Sequence, residues 1–133
     1  MTDRLYRSGM AWCFWRWTFV ESGHLVRLHI VKTPFGALCL HWLSAADPEP
    51  HEHDHPVSFL SVVLRGAYVE VRNGRARAVT RLNLIRARAR HRIVWTAPHT
   101  LTLCLMGPKP REWGFHTPSG WRSWRDYYRS ASR

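Results

Sequence analysis

Lysine is almost missing from this 133-residue chain: Lys32 and Lys109 stand against eighteen arginines. Acidic residues are also few, nine in all, so the formal net charge is +11. Backbone-binding nucleic-acid patches draw on both basic residues, and an arginine-only excess with abundant Ala and Trp also follows from GC-rich coding. Charge by itself therefore does not define a nucleic-acid binder, although it leaves that partner open. Cysteine is scarce too. Cys13, Cys39 and Cys104 are odd in number and widely spaced, which excludes a disulfide framework and a zinc ribbon. They read as small strand residues in a reducing cytoplasm. No stretch approaches the roughly 18 consecutive apolar residues of a transmembrane helix. The aromatic run from Met10 to Val20 is interrupted by Arg16 and lacks a small-residue cleavage site. Neither membrane anchor nor signal peptide is expected, and the expected location is cytoplasmic.

What is present points to one folded domain over residues 1–133. Hydrophobic residues make up 45% of the chain, enough for a real core at this length. Leu25 to Lys32 and Ala37 to Leu43 are apolar-rich runs joined by Thr33-Pro34-Phe35-Gly36, a hairpin signal. Ser44 to His51, with two acidic residues and two prolines, is expected to be a loop. Val57 to Leu64 is continuously apolar and predicts a central strand buried on both faces. Beyond Gly66, Ala67 to Arg72 runs into Asn73-Gly74, the dipeptide of a type I′ turn, with Arg75 to Leu84 as the return strand. Further strands are predicted over His91 to Thr96, Thr100 to Met106 and Arg111 to His116. Trp121, Trp124 and Tyr128 recur at helical spacing, so residues 121–130 predict a short amphipathic helix on a core of residues 25–116. Many short strands at this spacing predict an all-β sandwich or closed barrel.

The most informative segment is Pro50-His51-Glu52-His53-Asp54-His55-Pro56. On an extended chain its three histidines project to one side. Neighbouring same-face imidazoles can share one divalent ion, with nitrogens about 2.0–2.2 Å away. A third ligand must come from another strand, and His91 is the candidate. In Arg86-Ala87-Arg88-Ala89-Arg90-His91-Arg92-Ile93 the arginines take one face, leaving His91 on the other among small and apolar residues. His51 is a spare ligand or loop, His41 is placed to face a pocket, and His99 and His116 read as structural.

Here the sequence resembles the cupin superfamily. His53-x-His55, a following strand and Gly66 match the first cupin motif, G-x5-H-x-H-x3-4-E-x6-G. The second, G-x5-P-x-G-x2-H-x3-N, is matched in spacing at Arg86, Arg88 and His91, with arginine replacing both Pro and Gly. His53-Asp54-His55-Pro56, Leu64-Arg65-Gly66-Ala67-Tyr68-Val69-Glu70 and Arg111-Glu112-Trp113-Gly114-Phe115 resemble a group of small bacterial and phage single-domain cupins, across roughly Leu38 to Tyr128. The resemblance implies a double-stranded β-helix, or jelly-roll barrel, with a short C-terminal helix. It implies one divalent metal on His53, His55 and His91. The motif's glutamate falls at Phe59, which cannot bind metal. The implied site is then the three-histidine arrangement of thiol and some dione dioxygenases, or it recruits Glu70, with Tyr68 on the same face. The Ser-x-His-x-Tyr motif of thiol dioxygenases has no counterpart in Thr102-Leu103-Cys104-Leu105-Met106.

Three neutral imidazoles leave a divalent ion uncompensated, which favours Fe(II) binding a small anionic or bidentate substrate together with dioxygen; Mn, Ni and Zn bind the same donors. The expectation is a metal-dependent cupin dioxygenase. Arg65, Arg72 and Arg111 are candidates to hold a substrate anion, and Trp42, Trp95 and Trp113 to wall the pocket. Two alternatives stand beside it. One is a non-oxidative isomerase, epimerase or lyase with Glu70 as base and Tyr68 as acid. The other is a non-catalytic module binding through the stripe Arg86, Arg88, Arg90 and Arg92. The tryptophan content, eight residues, also suggests a homodimer.

Overall fold

The structure, a computed structural model, describes residues 13–19, 24–108 and 111–131. Among these, twelve strands precede one helix. In chain order they are β1 (Cys13–Phe19), β2 (Leu25–Thr33), β3 (Gly36–Leu43), β4 (Glu52–His53), β5 (Phe59–Arg65) and β6 (Tyr68–Arg72). Then follow β7 (Arg75–Val79), β8 (Leu82–Ile85), β9 (His91–Thr96), β10 (Thr100–Met106), β11 (Gly114–Thr117), β12 (Gly120–Ser123) and the helix α1 (Trp124–Ala131).

The strands form two antiparallel sheets. One has the order β1-β2-β3-β10-β5-β8, the other β12-β11-β4-β9-β6-β7. This is the expected all-β architecture, a small two-sheet sandwich with a short C-terminal helix. The turn chemistry explains the pairings. Thr33 Oγ1 donates to Gly36 O at 3.2 Å and accepts from the Phe35 amide at 3.1 Å, closing the β2–β3 hairpin. Asn73 and Gly74 both take positive φ, 50° and 77°, and bring Arg72 opposite Arg75. Gly66 turns the chain from β5 to β6 at φ 81°, where a Cβ would run into Thr100.

Four readings of the sequence change. Residues 75–84 are two strands, not one, because the chain crosses between sheets: β7 pairs with β6, and β8 with β5. The Val63 amide donates to Arg81 O at 2.7 Å across that corner. β5 is not buried on both faces; Leu64 is 54% exposed, because its outward face has no second layer. The strand read over 111–116 begins at Gly114. The helix begins at Trp124, since Trp121 to Ser123 complete β12 against β11. Ser123 caps it, accepting from the Asp126 amide at 3.3 Å and donating to the Asp126 carboxylate at 3.1 Å. β1 was not anticipated; it lies outside the 25–116 core and pairs with β2.

The space between the sheets is unusually polar. Among the described residues, ten buried polar or charged ones, including His29, His41, Glu70, Asn83 and His91, stand beside eleven buried apolar ones. Ala37, Cys39, Val57, Cys104 and Met106 make one apolar cluster, and Leu43, Tyr68 and Val79 another. Between the sheets lies a cavity of about 480 Å³.

Candidate metal centre

The histidines are positioned by strand pairing. β4 lies between β11 and β9, so His53 stands opposite Phe115 on one side and His91 on the other. His55 lies two residues on and is pinned by its amide, which donates to Ala87 O at 2.9 Å. Both rings line the cavity. Ring centroids of His53, His55 and His91 are 4.7–5.1 Å apart pairwise. One nitrogen from each lies within 4.8 Å of the others.

The chemistry of the donors fits a divalent ion. His55 Nδ1 is buried without a hydrogen-bond partner, a cost that a metal bond would remove. His91 Nδ1 lies 2.7 Å from Glu70 Oε2, which leaves Nε2 for the cavity and orients the ring. Burial, offset in part by Asp47, pushes His53 down to about 4. Burial and the neighbouring His91 and His53 hold His55 well below its ordinary range. Both are therefore neutral near pH 7, as ligands must be.

Glu70, read as a fourth ligand or base, stands behind His91 with no exposed surface. Its Oε2 also accepts from Asn83 Nδ2 at 3.1 Å, and its Oε1 faces Arg72 at 3.0 Å and Arg77 at 3.1 Å. Burial pushes this carboxyl up, but the His91 hydrogen bond and charge, then Asn83 and Arg72, more than reverse it. Tyr68 does line the cavity. Its hydroxyl accepts from Asn83 Nδ2 at 2.8 Å, and burial raises it to about 12.

Phe59 also lines the cavity, with its ring edge-on to His55 at 5.1 Å, where the motif's carboxylate would stand. Arg111 and Trp113 belong to the wall. Arg111 donates to His55 O at 3.2 Å and pairs with Asp54 at 3.3 Å. Asp54 is the buried clamp of this corner: it also accepts from the Gly114 amide at 2.8 Å and Trp121 Nε1 at 2.9 Å. These bonds tie the His-Asp-His-Pro segment to Arg111-Glu112-Trp113-Gly114-Phe115. Arg65 is exposed at the end of β5 and away from the cavity wall. Arg72 is engaged by Glu70 and Asn83. Trp42 and Trp95 do not line the cavity; each sits at an outward position of its strand and is about half exposed.

His51 turns to the Tyr127 hydroxyl at 2.9 Å, His116 to Asp54 at 3.2 Å, and His99 packs edge-on to Trp42. In the arginine stripe, Arg90 approaches Glu52 at 3.8 Å and Arg92 donates to Pro50 O at 3.1 Å. His41 faces the cavity as expected. The reading missed its neighbours Arg27, Ser61, Thr102 and Cys104, which complete the opposite wall. The available signal was polar residues at alternate positions of apolar strands, Arg27 and His29 on β2, and Thr100 and Thr102 on β10. Asp47 was also missed. It accepts from the Ile93 amide at 2.7 Å and lies 3.4 Å from His24. Burial alone would raise it, but the His24 contact, then His53 and the Ile93 amide, bring it down to about 2.

Solved structures share this two-sheet sandwich. An RmlC-like cupin from Shewanella frigidimarina matches with TM-score 0.60 and 14% identity over 74% of this chain and 95% of that one. KdgF from a Halomonas species matches with TM-score 0.59 and 18% identity over 73% and 95%. A salicylate 1,2-dioxygenase from Pseudaminobacter salicylatoxidans matches with TM-score 0.55 and 13% identity over 68% of this chain and 28% of that one. No family model and no curated protein matches the sequence. The chain has the cupin fold.

Proposed function

We propose that this protein is a metal-dependent cupin enzyme, an Fe(II)-type dioxygenase acting on a small anionic or bidentate substrate. One observation carries the reading: buried His91 and half-buried His53 and His55 converge within 4.8 Å on the wall of a cavity, with no carboxylate among them. His53, His55 and His91 would hold the ion, and Glu70 would fix the His91 tautomer. Bound there, Fe(II) supplies Lewis acidity and the redox chemistry with dioxygen that protein side chains lack. The chain's own residues do the rest. Neutral ligands leave the ion's charge for an anionic substrate to balance. Arg111 and Arg27 add positive charge at two places on the wall, while Phe59, Trp113 and Phe115 keep it apolar. Likeness in fold to a salicylate 1,2-dioxygenase supports the oxidative reading. Tyr68, whose hydroxyl Asn83 orients at the cavity wall, supports a non-oxidative second reading in which it donates a proton.

The test is anaerobic loading with Fe(II) of protein made without an affinity tag, then oxygen uptake against a panel of small carboxylates and diketones. One iron per chain with substrate-dependent oxygen uptake is expected. Protein that stays metal-free overturns the proposal, and turnover that survives oxygen exclusion selects the second reading.

A further inference from the structure

Among the described residues, Arg27, Arg111 and Arg125 are the arginines that line the cavity, and the first two are committed. Arg27 Nε donates to His41 Nε2 at 2.8 Å. Arg111 Nη1 donates to His55 O at 3.2 Å and stands 3.3 Å from Asp54. Arg125 is different. It is exposed on α1, so it stands where the cavity opens. Its guanidinium carbon lies over the Trp124 ring, 5.1 Å from the centroid, and no oxygen among the described residues takes its N–H groups. Cation–π attraction positions a guanidinium without supplying an acceptor for its N–H fork.

The platform beneath Arg125 leads back to the metal centre. The Trp124 amide donates to Trp113 O at 3.1 Å, and the two indoles stack 6.2 Å apart at 18°. Trp113 in turn lies 6.1 Å from the His53 ring. One wall of rings therefore runs from a candidate metal ligand to Arg125. Tyr128 fastens α1 to that wall by donating to Glu49 at 2.7 Å, and Tyr127 does so by stacking on Phe115 at 3.9 Å. Helix stability does not account for Arg125. It occupies the first turn of α1, where the helix dipole opposes a positive charge and favours an acid such as Asp126. The rim also carries Glu49, taken by Tyr128, and Glu112, which is exposed and screened by solvent.

We infer that Arg125 is the receptor for a second oxyanion of the substrate, at the rim of the cavity beyond the three histidines. This rests on the metal-dependent reading and narrows its substrate class. The ligand has two anionic ends: one reaches the metal centre, and the other, a carboxylate or phosphate, meets the Arg125 fork. Trp113, Phe115 and Trp124 line the wall between them, so the spacer is apolar.

The full chain loaded with Zn(II), which binds the same donors without redox chemistry, tests this by isothermal titration calorimetry once zinc has been counted by elemental analysis. The probes are valerate, glutarate and 4-phosphonobutyrate, which share one spacer and one carboxylate head and differ at the other end. Wild type is expected to bind glutarate or 4-phosphonobutyrate about tenfold tighter than valerate. The tighter of the two names the second oxyanion as carboxylate or phosphate. Arg125→Gln is expected to bring that ratio below about twofold while keeping one zinc per chain. Arg125→Lys, with the charge but without the fork, recovers only part of it. Wild type that holds zinc and binds all three probes equally overturns this inference alone, as does an Arg125→Gln variant with the wild-type ratio. A chain that takes up no zinc overturns the metal-dependent reading and this inference with it.

Discussion

The cavity has two histidine-bearing walls, and they differ in one respect. On the first sheet, His41 is saturated. Its Nε2 accepts from Arg27 Nε at 2.8 Å, so Nδ1 carries the proton and donates to Cys104 Sγ at 3.3 Å. Burial, then the Arg27 charge, holds this imidazole well below its ordinary range, and burial pushes the Cys104 thiol up. On the second sheet His53 and His55 are held just as neutral, yet His55 Nδ1 has no partner and three rings converge. Burial and lowered basicity are common to both walls. What distinguishes a ligand from a structural histidine is whether its nitrogens are already spent.

The largest test of that contrast is metal stoichiometry. His91→Ala is expected to reduce bound metal from one per chain to less than a tenth, whereas His41→Ala retains it; elemental analysis decides. Equal losses in the two variants would break the distinction. A smaller effect is expected at Glu70. Glu70→Gln keeps an acceptor for His91 Nδ1 but removes the charge, so metal affinity should fall about 10–100-fold in a competitive chelator titration. Unchanged affinity would mean that Glu70 serves only Arg72 and Arg77.

The smallest effect is on acid stability of the metal-free protein. Asp47 titrates at about 2 when folded, against an ordinary 3.8. A depressed carboxyl contributes its stability above the unfolded value and loses it as pH falls through the folded one. The contribution, about 2 kcal/mol, should therefore vanish between pH 4 and 2. His53 acts earlier: its folded value of about 4 lies below the ordinary 6.5, so the unfolded chain takes up the proton first. Stability should already decline from pH 6.5 toward 4. Urea melts across this range check both steps; Asp47→Asn should remove the lower one and, by taking away the charge that partly offsets burial at His53, extend the upper one to lower pH.

The difference in legibility follows from range. The Asn73-Gly74 hairpin, the paired His53 and His55 and the strand before Gly66 were readable because each depends on residues a few positions apart. His91 was readable only through its alternation among arginines and a motif spacing. The break between β7 and β8 was not, because a chain that changes sheets keeps the same alternation on both sides. Trp42 and Trp95 were misplaced for a related reason. Period-two alternation says that a residue faces one side, not which side is the cavity.

The sequence alone determined that this is a β protein with two histidines gripping from one extended segment, because side-chain alternation and turn chemistry are local. Only the tertiary structure decided that β9 brings His91 opposite His53, that Glu70 stands behind His91, and that His41 is saturated by Arg27 and Cys104. It also decided that Leu60 and Leu64, on a strand read as buried on both faces, are exposed. Each of these depends on which strands become neighbours, and that is set by how the whole chain shares its buried surface and polar groups between two sheets.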